Sequence, residues 1–196
     1  MRIQALLAGA AMALVASAAA VSASAAELVT NGGFETGDLS GWSLTGNTGF
    51  SGVVSSPHSG AFAFSDGAVN SPGLLSQTVA TIAGQSYDFS FWLRNGSGTP
   101  NAFSASLGGA LLTTLSNAAA FDYTHFFGTV VATSNNASLT FSFQQNPSFW
   151  QFDDVSLVGS SGAIPEPASW ALMLTGFLGA GAAIRANRRR QAVLAA

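Results

Sequence analysis

Hydrophobic and polar residues alternate with a period of two along much of the chain between residues 27 and 158. The pattern is most regular at 87–94, 103–107 and 138–144. Alternation of this kind is typical of strands that bury one face. Turns rich in Gly, Asn, Ser and Pro separate these segments. Further strands are predicted near 28–30, 42–45, 50–54, 60–65, 74–79, 110–115, 121–131 and 149–158.

No segment between the two ends of the chain repeats its apolar residues at helical spacing. Many short strands separated by turns predict an all-β domain, an antiparallel two-sheet β-sandwich over 27–158. The segment from residue 27 to residue 158 is long enough for one domain with its own hydrophobic core. A short Gly/Ser-rich linker is predicted at 159–163.

The N-terminal segment has the order of a secretory signal. Arg2 precedes an apolar stretch at 5–20, and small residues follow at 23–26. The pattern predicts a signal peptide over 1–26 that signal peptidase removes after Ala26, with a cut after Ala25 as the alternative. We therefore expect the protein to be exported across the inner membrane.

The C-terminal segment has three parts: a Pro-Glu-Pro triplet at 165–167, an uncharged run at 168–184 and an arginine-rich tail at 185–190. The run has 17 residues, which is the lower limit for a helix that crosses a bilayer core of about 30 Å. The arginines favour a cytoplasmic C-terminus. The pattern predicts a transmembrane helix, and on these rules alone an ordinary tail anchor is the alternative.

The order of these parts, with Trp170 and Ala171 after the triplet, resembles the PEPxxWA variant of the PEP-CTERM sorting signal over 164–190. The resemblance implies that the protein comes from a Gram-negative bacterium that makes exopolysaccharide. It also implies that an exosortase processes the chain near the Pro-Glu-Pro triplet. It also implies a transient inner-membrane anchor followed by release to the cell surface or extracellular matrix. The residues that carry the signal are Pro165, Glu166, Pro167, Trp170, Arg188, Arg189 and Arg190.

Charge changes the picture once the two ends are set aside. Between residues 27 and 160 there is one arginine, no lysine and eight acidic residues, a formal net charge of −7. Such a surface repels nucleic acid and anionic lipid but attracts divalent cations, so nucleic-acid binding is excluded. The chain has no cysteine, which excludes disulfides and thiolate metal sites.

Three segments carry a second resemblance: NGGFETGDLSGW at 31–42, HSGAFAF at 58–64 and WQFDDVSL at 150–157. In this order they resemble the carbohydrate-binding-module jelly rolls with a galactose-binding-like fold, over essentially all of 27–158. The resemblance implies a jelly-roll sandwich that binds polysaccharide. It also implies a structural calcium ion that joins the first and last strands.

The same resemblance implies Glu35 and Asp153 as side-chain ligands of that ion, with carbonyl oxygens from near Gly33 and Ser59. The residues themselves agree in part, because the parity of the last strand places Asp153 inward and Asp154 on the opposite face. An inward carboxylate is costly unless it is paired or bound to a metal such as calcium. The alternative is that Glu35 and Asp153 only accept backbone hydrogen bonds in turns.

Sugar binding needs aromatic faces with polar groups beside them. The candidates are Trp92, Arg94, Trp150 and Tyr123, because Trp92 and Arg94 share the polar face of their strand. Trp42 is predicted to lie in the core. The alternative for Trp150 is that it only covers the rim of the sandwich.

Catalysis has little support in the sequence. His58 and His125 are the only histidines, and no phosphate loop, HExxH pattern or nucleophile elbow occurs. We therefore predict no catalytic residues and a non-catalytic protein that binds extracellular polysaccharide. One alternative is a structural matrix or biofilm protein that binds no sugar, and a weaker one is a glycan-active hydrolase.

Overall fold

The structure, a computed structural model, describes residues 25–160, 173–182 and 184–185. The described residues from 25 to 160 belong to one compact unit, and those from 173 onward belong to a second unit. The first unit contains all the strands of the described residues, and they form two antiparallel sheets.

The first sheet has five strands, which are, from edge to edge, β1 (Ser43–Gly46), β4 (Gly73–Val79), β9 (Ala137–Gln145), β6 (Asn101–Leu107) and β7 (Ala110–Ser116). The second sheet has five strands, which are, from edge to edge, β2 (Ser51–Val54), β3 (Ala63–Asp66), β10 (Trp150–Gly159), β5 (Ser86–Asn95) and β8 (Phe121–Val131). In both sheets, strands from the first half of the chain pair with strands from the second half, so most strand pairs join residues that are far apart in sequence.

The predicted all-β, two-sheet antiparallel sandwich is confirmed. The prediction of a strand at 28–30 is wrong, because Glu27 forms only an isolated bridge with Val158 there. The other predicted strands lie within a few residues of observed ones. Strand β10 continues to Gly159, one residue beyond the predicted end of the domain.

Aromatic rings fill the space between the sheets. Phe91 of the second sheet packs against Phe141 of the first, with ring centroids 5.6 Å apart in an edge-on arrangement. Trp42 is buried as predicted, and its indole N–H donates to the carbonyl oxygen of Asn31. The largest fully buried side chains include Trp150, Phe34, Phe64, Phe91, Phe103, Phe141, Phe143 and Phe152. Edge-on and tilted packing of this kind adds to the stabilisation from burial alone.

The terminal predictions lie largely outside the described residues. These are the signal peptide up to residue 24, most of the linker, the Pro-Glu-Pro triplet, Trp170 and the three arginines at 188–190. Residues 173–182 and 184, within the predicted membrane segment, and residue 185, the first of the predicted arginine-rich tail, are helical. Among the residues that the structure describes, no helix has both the length and the apolar character needed to cross a membrane.

Candidate functional site on the outer face of the second sheet

Strand β10 is interrupted by a bulge near its middle. Its pairing register with β5 shifts between Asp153 and Ser156, and Asp154 adopts a φ of 49°. The bulge lets the strand bury Phe152 before it and Val155 after it. Uninterrupted alternation would have placed those two residues on opposite faces. The uninterrupted alternation that the sequence predicted for the last strand therefore does not run through the bulge.

Both acids contact the same turn, at residues 58–59. Oδ2 of Asp153 accepts hydrogen bonds from the backbone N–H groups of His58 at 2.8 Å and Ser59 at 3.1 Å. Oδ2 of Asp154 lies 2.7 Å from Nδ1 of His58. Oδ1 of Asp154 accepts a hydrogen bond from the Ser59 hydroxyl at 2.8 Å. The turn is therefore tied to β10 by two carboxylates at once.

Asp153 is fully buried, as the sequence predicted. Burial raises the pKa of the Asp153 carboxyl above its ordinary value, while backbone N–H groups that donate to it act in the opposite direction. A buried carboxylate that accepts several backbone hydrogen bonds has most of its hydrogen-bonding capacity satisfied without a cation. The alternative considered from the sequence was that Asp153 only accepts backbone hydrogen bonds in a turn. The observed contacts of Asp153 with His58 and Ser59 are of that kind.

Glu35 approaches the same turn from the N-terminal loop. Its carboxylate accepts hydrogen bonds from the backbone N–H groups of Ala61 and Phe62, at 3.0 and 3.1 Å. Gly60 lies beneath that carboxylate with a φ of 70°, and a side chain there would overlap it. The glycine in the HSG triplet is therefore required by both conformation and space.

Gly33 lies near Glu35 and Asp153, the two acids that were predicted from the sequence as calcium ligands. A Cβ atom at Gly33 would stand 3.6 Å from Oδ1 of Asp154, 3.7 Å from Cγ of Glu35 and 3.9 Å from Oδ1 of Asp153. These are hard oxygen donors of the type that calcium prefers. In the described part of the chain, however, no three His, Asp or Glu side chains are arranged to hold a metal ion. The donor type suits calcium, but in this structure the Asp153 and Glu35 carboxylates accept backbone hydrogen bonds instead.

Next to this turn, four aromatic rings form a continuous row on the outer face of the second sheet. The His58 and Trp92 rings are stacked with centroids 3.6 Å apart and planes within 12°. Trp92 stacks on His125 at 4.9 Å, and His125 stacks on Phe127 at 5.1 Å. Phe127 ends the row with 73% of its surface exposed. We call these four residues the aromatic row.

Polar groups border the aromatic row where β5 and β8 meet the loops. The Arg94 guanidinium donates to Oε1 of Gln151 at 2.6 Å and lies 3.5 Å from the carboxylate of Asp122. The Tyr123 hydroxyl donates to the carbonyl oxygen of Ser56 at 2.9 Å. Burial, the largest influence, raises the pKa of Tyr123 above its ordinary range, so this phenol stays a hydrogen-bond donor. Trp92, Arg94 and Tyr123 thus share one surface.

Trp150 does not belong to this surface. Its side chain is 0% exposed, its ring packs against Phe103 and Phe121, and its indole N–H donates to the Gln144 carbonyl oxygen. A ring enclosed in the core cannot stack on a glycan. The prediction of Trp150 as a ligand-binding residue is wrong, because the bulge in β10 turns its first half inward.

Sequence reasoning assigned no ligand role to His58 or Phe127. His58 was expected in a turn, which is where it lies, but its stacking on Trp92 depends on a contact between residues far apart in sequence. Phe127 is two positions from His125 in an alternating strand. That spacing was the available signal for placing the two rings on one face.

Two sequence comparisons address the family. Residues 26–152 match the family described as Carbohydrate binding domain. No curated protein matches the chain.

Solved structures share the fold. One is TmCBM61 in complex with β-1,4-galactotriose, with a TM-score of 0.53, 22% identity, and 68% of this chain and 99% of that chain covered. A second is the CBM22-1 and GH10 module structure of Clostridium thermocellum xylanase 10B with xylohexaose, with a TM-score of 0.52, 18% identity, and 70% and 29% covered. A third is a xylan-binding domain from CBM 22, with a TM-score of 0.52, 13% identity, and 71% and 99% covered. At these identities the likeness concerns the fold.

Proposed function

We propose, from the premise that this chain belongs to the Carbohydrate binding domain family over residues 26–152, that it binds an extracellular polysaccharide without cleaving it. The observation that carries the proposal is the exposed ring of Phe127 at the end of the aromatic row, because an open aromatic ring beside polar groups suits a sugar. Phe127 is 73% exposed, and Trp92 supports the row by stacking on His125 from β5.

The surface around the aromatic row suits hydrogen bonding to hydroxyl groups. Arg94 and Gln151 form one polar pair beside Trp92. Asp88 and Thr129 form another, at 2.8 Å, beyond Phe127. In a stretch with one arginine and eight acids, a strongly anionic glycan would be repelled. We therefore propose a neutral or weakly charged polysaccharide.

We further propose that a bound calcium ion stabilises the 58–59 turn, which lies next to the aromatic row. Glu35 and Asp153, with carbonyl oxygens from near Gly33 and Ser59, would hold the ion. Asp153 already fixes the 58–59 turn, and the ring of His58 stacks on Trp92. An ion bound there would stabilise the position of the first ring of the aromatic row.

Export and sorting complete the proposal. We propose that signal peptidase removes residues 1–26 and that an exosortase recognises Pro165, Glu166, Pro167 and Trp170. The arginines at 188–190 would keep the C-terminus cytoplasmic until processing. The domain would then act at the cell surface or in the extracellular matrix. A pulse-chase experiment tests this with a variant in which alanine replaces all three residues of the Pro-Glu-Pro triplet, because processing would stop while export continued.

Affinity electrophoresis tests the binding function. The full-length chain, in a polyoxyethylene detergent without sugar headgroups, is run through gels that contain galactan, xylan, mannan, mixed-linkage β-glucan or amylopectin. We expect retardation by at least one glycan, reduced by about tenfold in affinity in Phe127→Ala and His125→Ala. Leu111→Ala is the matched control, because Leu111 is an exposed apolar residue on the first sheet. Equal retardation of all variants would remove the aromatic row as the site.

One observation favours a second candidate, a structural matrix protein that associates with itself. Strand β8 is an 11-residue edge strand that carries no lysine, and Phe127 and Val131 on it are exposed. Edges of this kind pair with other strands unless charges block them. Sedimentation velocity of the full-length chain would then reveal assembly that depends on concentration. Phe127→Lys would abolish it, whereas Leu111→Lys would not.

A further inference from the structure

A cavity bordered by two phenylalanines lies in the loops at one end of the sandwich. It has a volume of about 180 Å³, smaller than the roughly 300–1,000 Å³ typical of sites for drug-sized ligands. It is formed by three loops, the one before β2, the one after β3 and the one between β9 and β10. The residues that matter here are Phe50, Gly67, Asn146, Ser148 and Phe149.

Two phenyl rings border this cavity and are open to solvent. Phe50 is 61% exposed and Phe149 is 44% exposed. Among the described residues, neither ring contacts another aromatic ring, whereas most of the other phenylalanines lie in stacked or edge-on pairs. Exposed apolar surface of this kind, rimmed by polar groups, is typical of binding sites.

The backbone of Gly67 fixes the position of these rings. Its N–H donates to the carbonyl oxygen of Phe50 at 3.1 Å. The ring of Phe149 lies over Gly67 so closely that a Cβ atom there would approach Cε1 of Phe149 to 2.6 Å. The cavity is therefore shaped by a glycine whose missing side chain leaves room for an aromatic ring.

Two polar groups in the cavity wall have no hydrogen-bond partner in the described part of the chain. They are the side-chain amide of Asn146 and the hydroxyl of Ser148, which belong to the same loop as Phe149. No residue of the lining carries a charge. Aromatic faces combined with free amide and hydroxyl groups suit a neutral sugar ring, and they do not suit an ion or a strongly acidic ligand.

The cavity adjoins the polar end of the proposed glycan surface. The backbone N–H of Gly96 donates to the carbonyl oxygen of Phe149 at 3.0 Å. Gly96 also lines a cavity of about 370 Å³ whose wall includes Arg94 and Asp122. Gly96 therefore connects the loop that carries Phe149 to the cavity beside Arg94.

We propose that the cavity between Phe50 and Phe149 is a separate subsite that binds one neutral pyranose unit of the polysaccharide. The phenyl rings stack on the apolar faces of the sugar, and Asn146 and Ser148 bond its hydroxyl groups. This inference rests on the proposed function, and it assigns a second position to the ligand.

The test uses the full-length chain in the same detergent and the same glycan gels. Gly67→Ala displaces the Phe149 ring without removing it, and Phe149→Ala removes it. Gly52→Ala is the matched control, because a Cβ atom there has nothing within 4 Å. We expect Gly67→Ala and Phe149→Ala each to lower affinity at least about fivefold, with Gly52→Ala unchanged. Thermal melting of each variant checks that the fold is intact.

The outcomes separate the two proposals. If the unmodified chain is retarded and Phe127→Ala weakens it, but Gly67→Ala and Phe149→Ala bind like the control, the subsite is overturned while the function stands. If no glycan retards the unmodified chain, the function is overturned and the subsite with it. Loss of binding in the Gly67 and Phe149 variants, with unchanged melting, supports both.

Discussion

His58 lies face to face with Trp92, although the two residues come from a turn and from the middle of strand β5. The imidazole is held by Asp154, whose Oδ2 is 2.7 Å from Nδ1. The backbone N–H of His58 donates to Asp153. One residue thus connects the buried acid of β10 to the first large ring of the aromatic row.

Removing this connection should alter the environment of Trp92. In His58→Ala the ring that covers one face of Trp92 is lost, so tryptophan emission should move to longer wavelength and iodide should quench it more. Stability should fall by about 1 kcal/mol, the value of an aromatic pair beyond its buried area. The comparison is made in a Trp170→Phe background, where the two other tryptophans, Trp42 and Trp150, are buried and iodide reaches them little, so the quenching change reports on Trp92. An unchanged spectrum would show that His58 does not cover Trp92 in solution.

Neighbouring glycines should differ sharply in their tolerance of a methyl group. A Cβ atom at Gly32 would overlap the carbonyl oxygen of Val155, whose N–H donates to the Gly32 carbonyl at 3.0 Å. At Gly33 the nearest atom would be 3.6 Å away, an ordinary contact. Gly32→Ala should cost about 2 kcal/mol or more in urea unfolding, and Gly33→Ala less than about 1 kcal/mol. Equal losses would mean that the loop does not lie against β10 as described.

Asp66 should make the domain more stable in mild acid than at neutral pH. It is fully buried and accepts hydrogen bonds from the Ser51 hydroxyl and the Ala68 N–H, but among the described residues no cation contacts it. Burial raises the pKa of Asp66 above its ordinary value of 3.8. A raised folded pKa means that the folded state binds the proton more tightly. Its stabilising contribution is therefore complete below the ordinary pKa and is lost as pH rises through the folded one.

Asp66→Asn removes this titration while keeping the shape of the side chain. The stability of the variant should change less between pH 7 and pH 4, and at pH 7 it should equal or exceed that of the unmodified chain. Asp153, whose pKa is also raised by burial, keeps part of the dependence in the same direction. Melting curves across this range measure the effect. A slope as steep as that of the unmodified chain would assign the dependence to other groups.

Calcium should raise the melting temperature of the chain, and Glu35→Gln should abolish the rise, because the amide lacks the charge that a cation requires. Asp88→Asn is the matched control, since Asp88 bonds Thr129 and Ser160 at a different place on the domain. Melting is compared in excess calcium and in excess chelator. Identical melting of the unmodified chain in the two conditions would remove calcium from the proposal.

Period-two alternation predicted the fold well because most strands here bury one face and expose the other. Strand β5 alternates buried and more exposed residues from Tyr87 to Asn95 without interruption. Strand β10 breaks the rule at Asp154, where a left-handed residue inserts an extra position and reverses the parity. The outward placement of Trp150 failed for this reason, since the residues before the bulge bury the opposite set of positions.

The candidate site was predicted only in part, since its members come from segments far apart in sequence. Trp92 and Arg94 were identified from the polar face of their strand and Tyr123 as a residue that could lie near them, and the three do share a surface. The stacking partner of Trp92 was not, because 34 residues separate it from His58 and nothing local indicates the contact. The tie between Asp153 and the 58–59 turn spans a still longer separation.

The position of β10 has a mechanical consequence. It is the middle strand of the second sheet, with β3 on one side and β5 on the other, and its last residues lie beside Glu27 at the start of the domain. An edge strand under tension peels away alone, but a middle strand cannot leave without splitting its sheet in two. A pull transmitted through Gly159 therefore loads the best-supported strand of the sheet. A pull through that end would therefore meet resistance from the pairings on both sides of β10 until the sheet divided.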